Sequence, residues 1–347
     1  MLAEAISGVV VESSSHEEEH YRPLFSGVAT SLLEELDLGR NEITNDLECF
    51  TRGIQLLLSN ATHLKHLDLE GNRIERQAGM VLSDALCHAH SLESLNLYNN
   101  SLGDSATIYM APKLQDCHSL IRLDLGLNYI SSHGGSALAD FLSKNPPLQR
   151  LLLLGNGIGD GGAIQFSKAL GSNQTLTELN LGFNKLSSVG LKALQEALYN
   201  TSSLNALVDS NHTLSCLFDD YCATNLIRWG CDEQTVNCID NLLRINALNE
   251  VLTHQHRFSY SSSIPAKKKK RGPGCCVKIP SVPKLKVAIH LREQFDMRHF
   301  LDVDGKTMPE VLEFVSSNVG VDKLFHLLRD WNMPHLYSPQ MNSAACG

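Results

Sequence analysis

The stretch Leu120-Ile121-Arg122-Leu123-Asp124-Leu125-Gly126-Leu127-Asn128-Tyr129-Ile130 holds the phrase that decides the fold. Its frame is Leu-x-x-Leu-x-Leu-x-x-Asn-x-Ile/Leu. Leu64, Leu92, Leu120, Leu148, Leu176 and Leu204 stand 28 residues apart. The intact copies are Leu33-Leu36-Leu38-Asn41-Ile43, Leu64-Leu67-Leu69-Asn72-Ile74, Leu92-Leu95-Leu97-Asn100-Leu102, Leu120-Leu123-Leu125-Asn128-Ile130, Leu148-Leu151-Leu153-Asn156-Ile158 and Leu176-Leu179-Leu181-Asn184-Leu186. The first interval, Leu33 to Leu64, is 31 residues, so the first unit carries a three-residue insertion. A seventh copy decays: Leu204 and Leu207 hold, while Asp209 and His212 replace the next leucine and the asparagine. A fixed period of this length is the signature of a repeat array.

Leu-x-Leu alternation is a short strand with one buried face. The asparagine behind it both donates and accepts, which satisfies backbone groups where the chain turns inside. The second half of each unit reads as a helix, with Leu82 and Leu86, Met110 and Leu114, Leu138 and Leu142, Phe166 and Leu170, Leu194 and Leu198 four apart. One strand and one helix close no core alone, so the units stack. Parallel strands stack at about 4.8 Å and helices at roughly 8–10 Å. That mismatch bends the stack with strands inside the curve. The expected fold is an α/β solenoid, a right-handed βα horseshoe, with a C-terminal α-helical module.

These copies resemble the leucine-rich repeat family, and the 28-residue period with a full helix is similar to its ribonuclease-inhibitor-like subclass. The resemblance covers about residues 30–214. It implies a fold and leaves the function open, because this scaffold serves many.

Residues alternating with the buried leucines face the inside of the curve. They read Glu35-Asp37-Gly39, His66-Asp68-Glu70, Ser94-Asn96-Tyr98, Arg122-Asp124-Gly126, Arg150-Leu152-Leu154, Glu178-Asn180-Gly182 and Ala206-Val208-Ser210. The Asp and Asn column reads equally as a way to keep a sheet soluble. The middle of the face differs: Leu152 and Leu154 are expected to be exposed, beside Arg122 and Arg150 and near Tyr98. Exposed aliphatics among Arg and Tyr are how a protein-binding hot spot is built. Glu35, Asp37, Asp68 and Glu70 are placed to steer a basic partner toward it. The competing expectation is that the C-terminal helices cover these leucines.

Beyond the repeats, 234–254 reads as a helix with Ile239, Leu242, Leu243, Leu248, Val251 and Leu252 on its apolar side. Further helices are expected at 284–300, 308–315 and 322–331. The domain reading is an acidic disordered tail at 1–24, the horseshoe of about seven repeats at 25–215, and a helical cap at 216–256. A basic linker at 257–283, a small helical module at 284–336 and a disordered tail at 337–347 complete it. Capping is the simplest role for the helices after the repeats, since an open strand row invites association. In the linker, Lys267, Lys268, Lys269, Lys270 and Arg271 resemble a nuclear import signal that an import receptor reads in extended form. A plain solvated linker is the bland alternative. Acylation of Cys275 and Cys276 beside the basic run is a third.

Composition narrows the function. The 347 residues are 43% hydrophobic and 19% charged, as in ordinary globular chains. Net charge is −9, split as −11 over 1–215 and +2 over 216–347. An acidic repeat body argues against nucleic-acid binding. No run of apolar residues is long enough to span a membrane, and the N-terminus has Glu4 where a secretion signal needs basic residues. An intracellular chain is expected, in the cytoplasm and also the nucleus if the basic run works, so its ten cysteines read as reduced thiols.

No cofactor or metal is expected. Cys216, Cys222, Cys231 and Cys238 are spaced too widely for paired zinc knuckles. Asp302-Val303-Asp304-Gly305 lacks the other positions of a calcium loop. The glycines from Gly155 to Gly162 belong to a repeat turn and lack the Lys-Ser/Thr pair of a phosphate loop. The chain therefore reads as a non-catalytic scaffold binding another protein. One catalytic alternative comes from resemblance: leucine-rich repeat proteins of about this period include activators of the Ran GTPase, which use an exposed arginine in an early repeat. Arg40 stands at the matching turn, where it would neutralise charge on a transferred phosphoryl group. Those activators carry an acidic tail, whereas this tail is basic and then helical.

Overall fold

A computed structural model describes residues 33–258 apart from 42, 45, 203–205, 208, 219–224 and 228–230, and beyond 247 the backbone alone. The acidic N-terminal segment, the 267–271 run, Cys275, Cys276 and the helices expected after 283 lie outside the described residues. Two compact units divide the chain: Met1–Tyr199 with Ser210–Lys270, and Asn200–Asp209 with Arg271–Gly347. In the second, Ser202 N–H donates to Asn200 Oδ1 at 3.0 Å. The first contains every element named below.

Its order is β1 (Glu35–Asp37), α1 (Leu47–Asn60), β2 (His66–Asp68), α2 (Arg76–Ala85), β3 (Ser94–Asn96), α3 (Gly103–Lys113), β4 (Arg122–Asp124), α4 (Ser132–Leu142), β5 (Arg150–Leu152), α5 (Gly159–Ser172), β6 (Glu178–Asn180), α6 (Ser188–Leu198) and α7 (Glu233–Phe258). The strands form a parallel sheet in sequence order, β1 to β6, with Leu36, Leu67, Leu95, Leu123, Leu151 and Leu179 in register. All of these but Leu36 are fully buried; Leu36, on the edge strand, is part-buried. The helical leucine, methionine and phenylalanine pairs are buried too. The core therefore lies between the sheet and the helix row, and the period-two and period-four patterns each point one face at it.

From the second copy to the sixth the asparagine is a buried staple between units, whereas Asn41 is exposed and its Nδ2 donates to Gly39 O at 2.8 Å. Asn100 Nδ2 donates to Leu69 O at 2.9 Å and Leu97 O at 3.0 Å, and its Oδ1 accepts Asn72 N at 3.0 Å and Ile74 N at 2.9 Å. Asn72, Asn128, Asn156 and Asn184 repeat the arrangement. A second link was not expected. Asp104, at the start of α3, accepts Ser131 N at 2.7 Å and Gly134 N at 3.0 Å, capping the helix of the following unit. Asp160 does the same from α5 to Ser187 N at 2.8 Å and Gly190 N at 3.0 Å. Burial raises both carboxyls, and these Ser and Gly donors outweigh it and hold them below the usual carboxylate range.

The seventh copy is corrected. In the expected Leu204-Leu207-Asp209-His212 frame Leu204 lies outside the described residues, and Leu207, Asp209 and His212 add no strand to the sheet. Instead Ser215 and Cys216 N–H both donate to Thr177 O, at 2.8 and 3.2 Å, as Thr177 and Glu178 N–H do to Gln149 O. Leu179 N–H donates to Cys216 O at 2.9 Å, and Glu178 forms a parallel bridge with Cys216. The phrase Leu214-Ser215-Cys216-Leu217 thus takes the seventh place, 38 residues after Leu176 instead of 28. Ten extra residues before it displaced the count. Face positions Ala206 and Ser210 fall with the old frame, and Val208 lies outside the described residues. After it, α7 runs slightly longer than the expected 234–254 and buries Ile239, Leu242 and Leu243. Its Asn246 Nδ2 donates to Leu214 O at 2.7 Å, so the helix is stitched to that last unit.

Among the described residues no helix is long and apolar enough to cross a membrane, and no His, Cys, Asp and Glu cluster has the geometry to hold a metal. The described thiols have separate contacts: Cys216 Sγ with Phe218 O, Cys231 Sγ with Leu186 O, and Cys238 Sγ accepting from Gln195 Nε2.

Candidate functional site

The sheet face away from the helices carries two rows of residues that cross β1 to β6 in register, and a third row just past the strand ends. The first is Glu35, His66, Ser94, Arg122, Arg150 and Glu178; the second is Asp37, Asp68, Asn96, Asp124, Leu152 and Asn180. Gly39, Glu70, Tyr98, Gly126, Leu154 and Gly182 follow as the third.

The second row has a structural cause that the residue types alone did not reveal. In five strands its oxygen takes the N–H two residues on, closing the strand end. The bonds are Gly39 N to Asp37 Oδ1 at 2.8 Å, Glu70 N to Asp68 Oδ1 at 2.8 Å, Tyr98 N to Asn96 Oδ1 at 3.0 Å, Gly126 N to Asp124 Oδ1 at 3.1 Å, and Gly182 N to Asn180 Oδ1 at 2.9 Å. This is the local side-chain turn that Asp and Asn favour. Leu152 has no polar atom and leaves the Leu154 N–H without that acceptor. Most of the column is therefore structural, and β5 is its exception.

Tyr98, Leu152 and Leu154 stand on β5 or near it across Gly126. The Tyr98 ring lies across Gly126: a Cβ there would sit 2.7 Å from Tyr98 Cδ2 and 3.2 Å from Leu154 O. Glycine at 126 thus lets the Tyr98 ring reach toward β5. Leu152 and Leu154 are part-buried, which corrects the expectation that they stand exposed. Exposed apolar groups also stand on the loops that follow these strands. Leu127 is 39%, Tyr129 78% and Phe183 40% exposed, and each has a left-handed backbone, with φ of 52°, 58° and 55°. Such a conformation is costly for bulky residues. Leu127 leans over Gly155, where a Cβ would collide with Leu127 Cδ2. Sequence reading missed these three. Their signal was a large apolar residue flanking the buried asparagine, where the second and fifth copies place Gly71 and Gly155 just before it.

The charged groups are mutually engaged. Arg122 Nη2 donates to Asp124 Oδ2 at 3.2 Å, while its Nε is buried without a partner. Asp124 is itself buried, which pushes its carboxyl upward against the pull of the Gly126 N–H and Arg122. Arg150 Nε pairs with Glu178. At the other end Asp68 Oδ2 accepts from Asn96 Nδ2 at 2.9 Å, and Glu35 stands 4.0 Å from His66 Nε2. Glu70 holds Arg40 through its Nε at 3.2 Å and Nη2 at 2.7 Å. The guanidinium considered for phosphoryl transfer is thus largely exposed but already countered by a carboxylate. Asp37 and Asp68 remain outside any described ion pair, so the face is acidic at β1 and β2 and rich in guanidinium donors at β4 and β5.

A family model described as Leucine Rich repeat matches residues 31–46, 60–83, 116–139 and 172–194. Among solved structures, leiomodin-1 actin-binding site 2 aligns at 15% identity with a TM-score of 0.38, covering 61% of this chain and 97% of that one. The tropomodulin C-terminal domain of Caenorhabditis elegans aligns at 10% identity with a TM-score of 0.32, covering 65% and 91%. At these values neither carries a ligand over to this chain. Curated protein sequences gave no match.

Proposed function

This chain belongs to the leucine-rich repeat family, and we propose on that footing that it is a non-catalytic scaffold binding a protein partner on the concave face of its sheet. Tyr98, Arg122, Arg150, Leu152 and Leu154 make the central contacts, with Glu35, Asp37, Asp68 and Glu70 steering the approach. The observation that carries this reading is Leu152. Five strands keep an Asp or Asn whose oxygen closes the strand end, and the strand between Arg122 and Glu178 gives that bond up for an aliphatic side chain. A local rule broken without structural gain marks a functional position. The neighbouring Tyr98, Leu127 and Phe183 extend the same apolar surface in the pattern of a binding hot spot. The partner is met inside the cell, and the 267–271 run, five consecutive cations near Pro265, serves as the import signal that admits the chain to the nucleus.

Replacing Leu152 and Leu154 together by alanine is expected to abolish capture of the partner by the full chain from native lysate. Lys168→Ala, on the exposed side of α5, is expected to leave capture intact. Equal capture by all three chains would reject the face.

A further inference from the structure

Resting on that reading of the face, we infer that β5 is a receptor for a carboxylate: an acidic side chain of the bound protein segment lies over Leu152, accepts the Leu154 N–H, and is held by Arg122 and Arg150. Three observations converge on this place. The first is the missing oxygen. In β1 to β4 and in β6 a side-chain oxygen of the chain itself takes the N–H at this point, and at β5 the position opposite Asp124 is Leu152. A ligand oxygen there would reproduce a bond that the repeat makes everywhere else in the described sheet. The second is a surplus of donors. Arg122 and Arg150 are register neighbours, and among the described residues each makes a single side-chain bond, Arg122 to Asp124 and Arg150 to Glu178. The Arg122 Nε is buried with no acceptor. Guanidinium groups have several further N–H donors suited to a carboxylate. The third is that a carboxylate fits this row beside another: Asp37 and Asp68 already stand in register on β1 and β2.

Charge complementarity sets the rest of the segment. Asp37 and Asp68 lie at the far end of the same row, three strand steps from Leu152 when counted from Asp68. At about 4.8 Å per step this is roughly 14 Å, or about four residues of extended chain. The occupant is therefore a bipolar segment, with Lys or Arg at one end and Asp or Glu about four residues away.

The test places the missing group on the chain itself. Leu152→Asp supplies the carboxylate from within, as Asp124 does on the adjacent strand, and Leu152→Asn supplies the oxygen without charge, as Asn96 and Asn180 do. Both are expected to melt at or above the parent temperature. The probe is a random peptide library displayed on phage and selected on the full chain. Selected peptides are expected to share one fixed acidic residue and to lose roughly tenfold in affinity, or more, when it is neutralised, as a charge-assisted bond implies. They should lose as much on Leu152→Asp, and on Leu152→Asn if the aspartate variant does not fold. Peptides that are lost on Tyr98→Ala but indifferent to Leu152→Asp and to neutralisation would overturn the receptor and leave the docking face standing. A selection yielding only phosphate-competed peptides without an acidic residue would overturn it too. A selection in which no peptide responds to Tyr98→Ala would overturn both.

Discussion

Asn100→Ala is expected to lower the stability of the full chain by about 3–5 kcal/mol, read as a falling midpoint in urea. The asparagine amide closes four short bonds across two units, to Leu69 O, Leu97 O, Asn72 N and Ile74 N. Asn72 and Ile74 are fully buried, so their N–H groups find no water when the side chain is cut back. Each buried donor left unmade costs about 1–3 kcal/mol, and the carbonyls add to it. Because stability in a stack is a sum of units and interfaces, the loss should also broaden the transition by uncoupling the units on either side. Ser105→Ala, exposed on α3, should leave the midpoint within about 0.5 kcal/mol of the parent. A cost below about 1 kcal/mol for Asn100→Ala would mean that water reaches these groups and that the staple is dispensable.

The second large effect tests the displaced seventh unit. Asn211 Nδ2 donates to Leu170 O at 3.0 Å and Asn173 O at 2.9 Å, and Oδ1 accepts Thr213 N at 3.1 Å and Leu214 N at 2.9 Å. Asn173 makes the matching contacts one unit earlier, to Leu142 O and from Thr175 and Leu176 N–H. Asn211→Ala is therefore expected to cost about 2–4 kcal/mol, by the same penalty for buried groups left without partners. Asp209→Ala, at an exposed position, should change stability by less than about 0.5 kcal/mol. If the unit instead began 28 residues after Leu176, Asp209 would occupy a core leucine's place and alanine there would stabilise.

Most of the fold was legible because burial forces a period. Leu67, Leu95, Leu123, Leu151 and Leu179 all face one core, and a sheet admits no other spacing for them. Counting failed where the chain inserts residues, since Leu204 kept the interval while Leu214 took the place in the sheet. Register is decided by hydrogen bonds, and an insertion leaves no mark on the leucine spacing beyond it. The caps made by Asp104 and Asp160 had a readable sign in Gly103-Asp104 and Gly159-Asp160, alternating with Ser131-Ser132 and Ser187-Ser188. What they bond to became visible only when adjacent units were in contact.

The site was half legible. Alternation placed Tyr98, Arg122, Arg150, Leu152 and Leu154 on one face, and the sheet brings them to neighbouring strands. Composition could not separate the Asp and Asn that close strand ends from those available to a partner, because both are the same residue in the same column. The distinction lies in one oxygen accepting one N–H. The exposed Leu127, Tyr129 and Phe183 escaped because the frame treats their positions as free, whereas their left-handed backbone makes them costly choices there.

Photo-crosslinking from the face tests the central claim most directly. With p-benzoylphenylalanine in place of Leu154 in the full chain, irradiation in native lysate is expected to give one dominant protein adduct. That adduct should disappear when Leu152 is also changed to Asp, and the same probe at Lys168 on α5 should give none. An adduct formed at Lys168 and absent at Leu154 would contradict docking on the sheet and move recognition to the helices.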